Sequence, residues 1–192
     1  MVNGEYFMEE DKVEEKWRLF FALWPDERAQ ERAALEAQSV GGRRVQPQNL
    51  HVTLLFLGGV DAERVTEIEA QMAAVETDSF DICLSRREVT RRGIAWLAVR
   101  EIPAPLRELY RQVVAGCEAL GIELEQRPFR PHLTLARRAR PHRPVMIEPI
   151  EWRVRRFSLV RSQSDPSGVQ YHTLREWPLR EAVGDSLAAV RS

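Results

Sequence analysis

One tetrapeptide pattern occurs twice in this chain. His51-Val52-Thr53-Leu54 and His132-Leu133-Thr134-Leu135 both read histidine, apolar, threonine, leucine, and they stand 81 residues apart in a sequence of 192 with only four histidines. At average residue usage, two such matches arise by chance on the order of a few times in ten thousand. The repeat constrains the fold, because each copy requires an equivalent setting, and that points to two similar lobes. Both copies lie in short apolar runs of strand length. Successive strand side chains alternate faces, so His51 shares a face with Thr53 and His132 with Thr134, while Val52 and Leu133 point away. Related by a pseudo-twofold axis, the two strands line one cleft with two imidazoles and two hydroxyls.

The rest of the chain fits that plan. Leu19 to Trp24 is a solid apolar run suited to a buried strand, and Pro25-Asp26 then starts a helix reaching about Gln38, broken by Gly41-Gly42. Val45 to Leu50 is a polar approach to a second strand, His51 to Leu57, closed by Gly58-Gly59. Asp61 is placed to cap a helix carrying Val65, Ile68, Met72 and Val75. Phe80 to Leu84 and Ile94 to Val99 read as a hairpin turning at Arg91-Arg92-Gly93. A third helix begins near Pro105, carries Leu106, Leu109, Val113, Cys117 and Leu120 on one face, and stops at Gly121. Strands follow at 132–137, 152–162 and 169–175, the last two joined through Asp165-Pro166-Ser167-Gly168. Strand pairs alternating with single helices predict an α+β protein of two antiparallel lobes backed by helices, rather than a doubly wound parallel sheet. The expected organisation is an extension over 1–17, a single bilobal domain over 18–180 and a tail over 181–192.

Composition narrows the function classes. A 44% hydrophobic content supports a substantial core. No apolar run approaches the roughly 20 residues a membrane helix needs. The first sixteen residues are acidic and polar, unlike a secretion signal, which predicts a soluble cytoplasmic protein that avoids membranes. Cys83 and Cys117 stand far apart on apolar stripes, predicting neither a structural disulfide nor a zinc site. Net charge is -1, but ten arginines fall between Arg127 and Arg161 against only Glu148 and Glu151. An anionic ligand suits that half; a bland alternative is that arginine is simply this protein's preferred cation, since Lys12 and Lys16 are its only lysines.

Paired imidazoles and hydroxyls suit a phosphate diester. Opening a cyclic phosphate takes a base that deprotonates water on one side of phosphorus and an acid that protonates the departing ribose oxygen on the other. Histidine, with an ordinary pKa near 6.5, serves in either state at neutral pH. Each such group typically contributes ~10²–10⁴-fold, and charge stabilisation at the phosphoryl oxygens, by threonines and Arg137, supplies the rest. No carboxylate cluster accompanies either histidine, so no metal and no cofactor are expected. His172-Thr173-Leu174 places its threonine on the opposite strand face, and His172 and His142 are read as bystanders.

The runs Arg18-Leu19-Phe20-Phe21-Ala22-Leu23, Asn49 to Gly58 and Arg127 to Arg137 resemble those of the RNA 2′,3′-cyclic phosphodiesterases, also called 2′-5′ RNA ligases, of the two-histidine phosphoesterase superfamily. The resemblance spans about residues 18–179, ending in Tyr171, Leu174 and Trp177. It implies a bilobal fold with an open cleft and hydrolysis of RNA 2′,3′-cyclic phosphate ends, or nucleoside 2′,3′-cyclic phosphates, to 2′-phosphates without ATP or metal. It further implies His51 as proton donor to the leaving 3′ oxygen, His132 as the activator of water, and Thr53, Thr134 and Arg137 as phosphate ligands. Phe56 falls where the family places an aromatic near the nucleobase, although strand alternation sets it on the face opposite His51, where it would pack in the core. Arg127 either touches the ligand or fixes its loop. The family also joins RNA ends with a 5′ hydroxyl in place of water. A related phosphodiesterase acting on another cyclic nucleotide or on 2′-5′ oligonucleotides, and a non-catalytic RNA-end binder, are the alternatives; a monomer is the default state.

Overall fold

Leu19, Phe21 and Leu23 alternate with Phe20 and Ala22, and this alternation divides the molecule into its two faces. The structure, a computed structural model, describes residues 15–166 and 168–181. Its elements are β1 (Lys16–Leu23), α1 (Glu27–Gln38), β2 (Arg43–Arg44), β3 (Val52–Asp61), α2 (Val65–Met72), β4 (Phe80–Val89), β5 (Ala95–Val99), α3 (Ala104–Ala119), β6 (His132–Arg137), β7 (Val145–Val154), β8 (Arg156–Asp165) and β9 (Gly168–Pro178). Residues 1–14 of the expected extension, 182–192 of the expected tail, and Ser167 of the expected turn lie outside the described residues. Lys16 and Trp17, counted with the extension, instead open β1 opposite Asp61 and Val60.

The strands run in the order β7-β4-β5-β6-β3-β1-β8-β9, every named pair antiparallel, with β2 added to β6. Two four-stranded sheets, β7-β4-β5-β6 and β3-β1-β8-β9, meet where β6 and β3 share the single residue pair Val52↔Leu133. This is the expected two-lobed α+β architecture. All three helices pack on one face. Ala29, Ala33 and Ala37 of α1, Ile68 and Met72 of α2, and Leu106, Leu109, Val113 and Cys117 of α3 form one core with Leu19, Phe21, Val52, Ile82, Leu97, Leu133 and Phe157 from the strands. A small second cluster, Phe20, Ala22 and Val160, occupies the opposite face with Trp24 and Tyr171 against it.

Helix boundaries follow local chemistry. Asp26 caps α1 by accepting a 2.8 Å hydrogen bond from the Ala29 amide. Asp61, read as a cap, makes no side-chain capping bond; a 3₁₀ turn, Ala62–Arg64, comes first and α2 ends at Met72, before Val75. Two strand readings also change. β3 does not close at Gly58-Gly59 but continues to Asp61, because Gly58 takes φ 77° and forms a bulge that keeps the strand paired with β1. The segment 152–162 is two strands, since Arg155 separates β7 from β8. Cys117 is buried and Cys83 is half-buried beside Glu151 rather than on the apolar side of β4; both are free thiols.

Candidate active site

Carried one residue either way, the antiparallel pair Val52↔Leu133 sets His51 opposite Thr134 and Thr53 opposite His132. Val52 and Leu133 are fully buried under the helices, so all four polar side chains face the other way, into one cleft of about 370 Å³. The repeat thus builds one site at the seam of the lobes, as its spacing predicts. Besides these four, the cleft is lined by Phe20, Phe56, Arg137 and Tyr171, by Arg43, Arg44 and Asn49, and by the start of β9.

The two histidines are tethered alike. His51 Nδ1 lies 2.7 Å from the carbonyl oxygen of Asn49, and His132 Nδ1 lies 2.7 Å from that of Arg130. A carbonyl only accepts, so each Nδ1 carries the hydrogen and each neutral ring has its lone pair on Nε2. His51 Nε2 lies 3.1 Å from Thr53 Oγ1, within hydrogen-bond reach. Their surroundings differ. His51 is enclosed by Phe20, Trp24 and Tyr171, at ring-centroid distances of 5.0, 5.4 and 5.1 Å, whereas Trp96 lies 4.7 Å from His132. Burial drives the His51 pKa from 6.5 down to about 4; the hydrogen bond to Asn49 opposes this, and the positive potentials of His132 and Arg137 add to it. Burial likewise raises the Tyr171 phenol, which stays protonated.

Phe56 and Arg137 reach the cleft through matching irregularities. By simple alternation each, five residues after its histidine, belongs on the helix side. In β3 the pairing with β1 passes from Thr53 to Leu55 while its partner advances by one, so Leu54 and Leu55 both turn inward and Phe56 outward. In β6 the pairing with β5 skips Leu135 in the same way; Leu135 and Ala136 are buried and Arg137 emerges. These bulges set Phe56 on the cleft side rather than in the core, 41% exposed, 6.4 Å from the Phe20 ring, with the Arg18 guanidinium 5.5 Å from its centroid.

Arg127 is not brought to the site: it is exposed and pairs with Glu125 at 2.9 Å. His142 bonds Nδ1 to the adjacent Arg143 carbonyl, and neither it nor His172 lines the cleft. Asn49, Tyr171, Arg43 and Arg44 were not read as site residues. Among the described residues no group of three or more His, Cys, Asp or Glu side chains is placed to hold a metal ion, and no helix is long and apolar enough to cross a membrane.

Comparison with known proteins agrees with the geometry. The family model of the 2′-5′ RNA ligase superfamily matches residues 24–166. The chain is 35% identical to an RNA 2′,3′-cyclic phosphodiesterase of Thermus thermophilus, over 87% of this chain and 92% of the relative. It is 28% identical to the Escherichia coli protein of the same name, covering 88% and 100%. Among solved structures, E. coli LigT superposes in its apo form with a TM-score of 0.78 at 29% identity, over 87% of this chain and 99% of that one. The same protein complexed with 3′-AMP gives a TM-score of 0.77. With the duplicated motif, the two-lobed sheet and these matches in agreement, the chain belongs to the 2′-5′ RNA ligase superfamily.

Proposed function

We propose that the protein hydrolyses 2′,3′-cyclic phosphates at RNA ends to 2′-phosphates, with His51 and His132 as its acid–base pair. The observation that carries this reading is the matched tethering: each Nδ1 is occupied by a backbone carbonyl, which leaves proton exchange to each Nε2, that of His51 lying beside Thr53 Oγ1. The relatives named for this activity and the binding of 3′-AMP by E. coli LigT support the substrate class.

In the proposed reaction, water bonds to phosphorus and loses a proton to His132 Nε2. The bond from phosphorus to the ribose 3′ oxygen breaks on the opposite side, and that oxygen takes the proton carried by His51 Nε2. One water is consumed, leaving a 2′-phosphomonoester and a 3′-hydroxyl. Thr53, Thr134 and Arg137 hold the non-bridging oxygens as charge builds on them. Phe56 offers its exposed ring face to the base. To act as the acid His51 must be protonated, which burial opposes in the free protein; the phosphate anion supplies the compensating charge, so substrate and proton bind together. A 5′-hydroxyl in place of water gives a 2′-5′ linkage with the same groups.

The test is turnover of a nucleoside 2′,3′-cyclic phosphate in EDTA, with the product isomer identified and His51→Ala and His132→Ala run alongside. A 2′-phosphate product that is lost in both folded variants is expected. Undiminished turnover in either variant, or no turnover by the wild type, refutes the reading.

A further inference from the structure

Many of this protein's arginines are neutralised locally: Arg64 by Glu67, Arg87 by Glu36, Arg153 by Asp81, Arg156 by Glu176 and Arg180 by Asp78. Among the described residues, the three that line the cleft, Arg43, Arg44 and Arg137, make no ion pair with a carboxylate, and no described Asp or Glu lines the cleft. The strand register sets Arg43 directly opposite Arg137, and like charges directly opposite each other destabilise a sheet.

The backbone nevertheless forces the approach. Gly42 sits at φ 95°, where a Cβ would stand 2.4 Å from the Arg137 carbonyl oxygen, so only glycine lets β2 dock this closely on β6. The Val45 amide donates to the Leu135 carbonyl at 2.8 Å and extends the docking by one more bond. From β2, the Arg43 guanidinium extends to the start of β9, 3.5 Å from where a Cβ on Gly168 would lie. It therefore lines the cleft beside the start of β9. A cationic pair without a counter-ion among the described residues, continuous with the cleft, suits a second anion.

We propose that Arg43 and Arg44 form a second phosphate site, which takes a phosphodiester of RNA adjacent to the reacting phosphate. This rests on the reaction proposed above and extends it from a mononucleotide to a polynucleotide. The second phosphate belongs either to the strand that carries the cyclic end or to an incoming 5′-hydroxyl strand; the chemistry is the same, and substrates separate the two.

The experiment compares wild type with the double variant Arg43→Gln, Arg44→Gln on three reactions: hydrolysis of a nucleoside 2′,3′-cyclic phosphate, hydrolysis of a decanucleotide ending in one, and joining of that decanucleotide to a 5′-hydroxyl oligonucleotide. The fall in kcat/KM for the decanucleotide is expected to exceed any fall for the single-phosphate substrate by about tenfold or more, as for loss of charged hydrogen bonds. A loss confined to joining assigns the site to the incoming strand. An equal loss on the single-phosphate substrate, or no loss on any, overturns the proposal. Equilibrium binding of the decanucleotide and of the 5′-hydroxyl oligonucleotide is measured in parallel. There the slope of log Kd against log salt should flatten by about 1.4 for two lost contacts to a single strand. That slope decides the phosphate site even if wild type turns over no cyclic phosphate, a result that would defeat the assigned reaction instead.

Discussion

Acid should destabilise this protein through His51, and replacing His51 should remove much of that sensitivity. The imidazole titrates at about 4 in the folded protein and near 6.5 when unfolded. Between these values the unfolded chain holds a proton that the folded protein excludes, so stability falls as pH drops from 6.5 to 4 and loses nothing further from this group below. At about 1.4 kcal/mol per tenfold change in proton affinity, the full loss is about 3 kcal/mol, a ceiling because the cleft is open to water. Urea denaturation of wild type and His51→Gln at pH 7 and pH 4.5 measures it. With slopes typical of small proteins, ~1–3 kcal/mol per molar, the wild-type midpoint should fall by about 1 M or more beyond the fall in the variant. Carboxylates titrating in the same range act on both proteins and cancel. His132→Gln, which leaves the Phe20, Trp24 and Tyr171 enclosure intact, should keep most of the wild-type sensitivity. Equal acid losses in wild type and His51→Gln would refute the argument that enclosure keeps His51 neutral.

Other outcomes follow from the same geometry. Thr134→Val and Arg137→Gln should each lower kcat/KM for a nucleoside 2′,3′-cyclic phosphate by about 10²-fold or more, with thermal denaturation showing the fold intact. Phe56→Ala should raise KM about tenfold with kcat nearly unchanged, because a stacked base is held alike before and during reaction, and steady-state kinetics separates the two parameters. Asp26→Ala should cost about 1 kcal/mol in urea denaturation by removing the bond to the Ala29 amide, without effect on turnover.

What could be read from the sequence was whatever burial writes into it. The strands around the histidines stand out because each passes beneath a helix layer, and α1 and α3 because Asp26 and Gly121 punctuate them. The first half of β7 escaped because it is an edge: Met146 is 69% exposed, Pro149 interrupts the apolar pattern, and only Ile150, Trp152 and Val154 reach the core. β2 escaped because two exposed arginines carry no apolar signature, and so did their place beside Arg137. The bulges left a trace that alternation alone ignores. Leu54-Leu55 and Leu135-Ala136 are consecutive apolar residues following each threonine, which a strand buried on one face accommodates only by an extra residue. Tyr171 and Asn49 needed the tertiary structure, since one reaches His51 from β9 and the other through its carbonyl oxygen.

The duplicated bulge also explains how two copies of one motif yield a site with direction. Because β3 and β6 are antiparallel, the fifth residue after each histidine lies at the opposite end of the cleft from its counterpart. Sequence identity at the histidine and threonine places like groups at the centre, the matched pair that the proposed acid–base chemistry calls for. The copies diverge at the fifth position, with Phe56 at one end and Arg137 at the other. For the nucleotide substrate proposed above, an aromatic face at one end and a cation at the other would set the base toward one lobe and phosphate charge toward the other. The asymmetry of the imidazoles then has a cause outside the motif. β1, β9 and Trp24 close around His51 and burial there lowers its affinity for a proton, while His132 is left nearer the surface. The repeated motif supplies the two imidazoles, and the unrepeated strands β1 and β9 distinguish them.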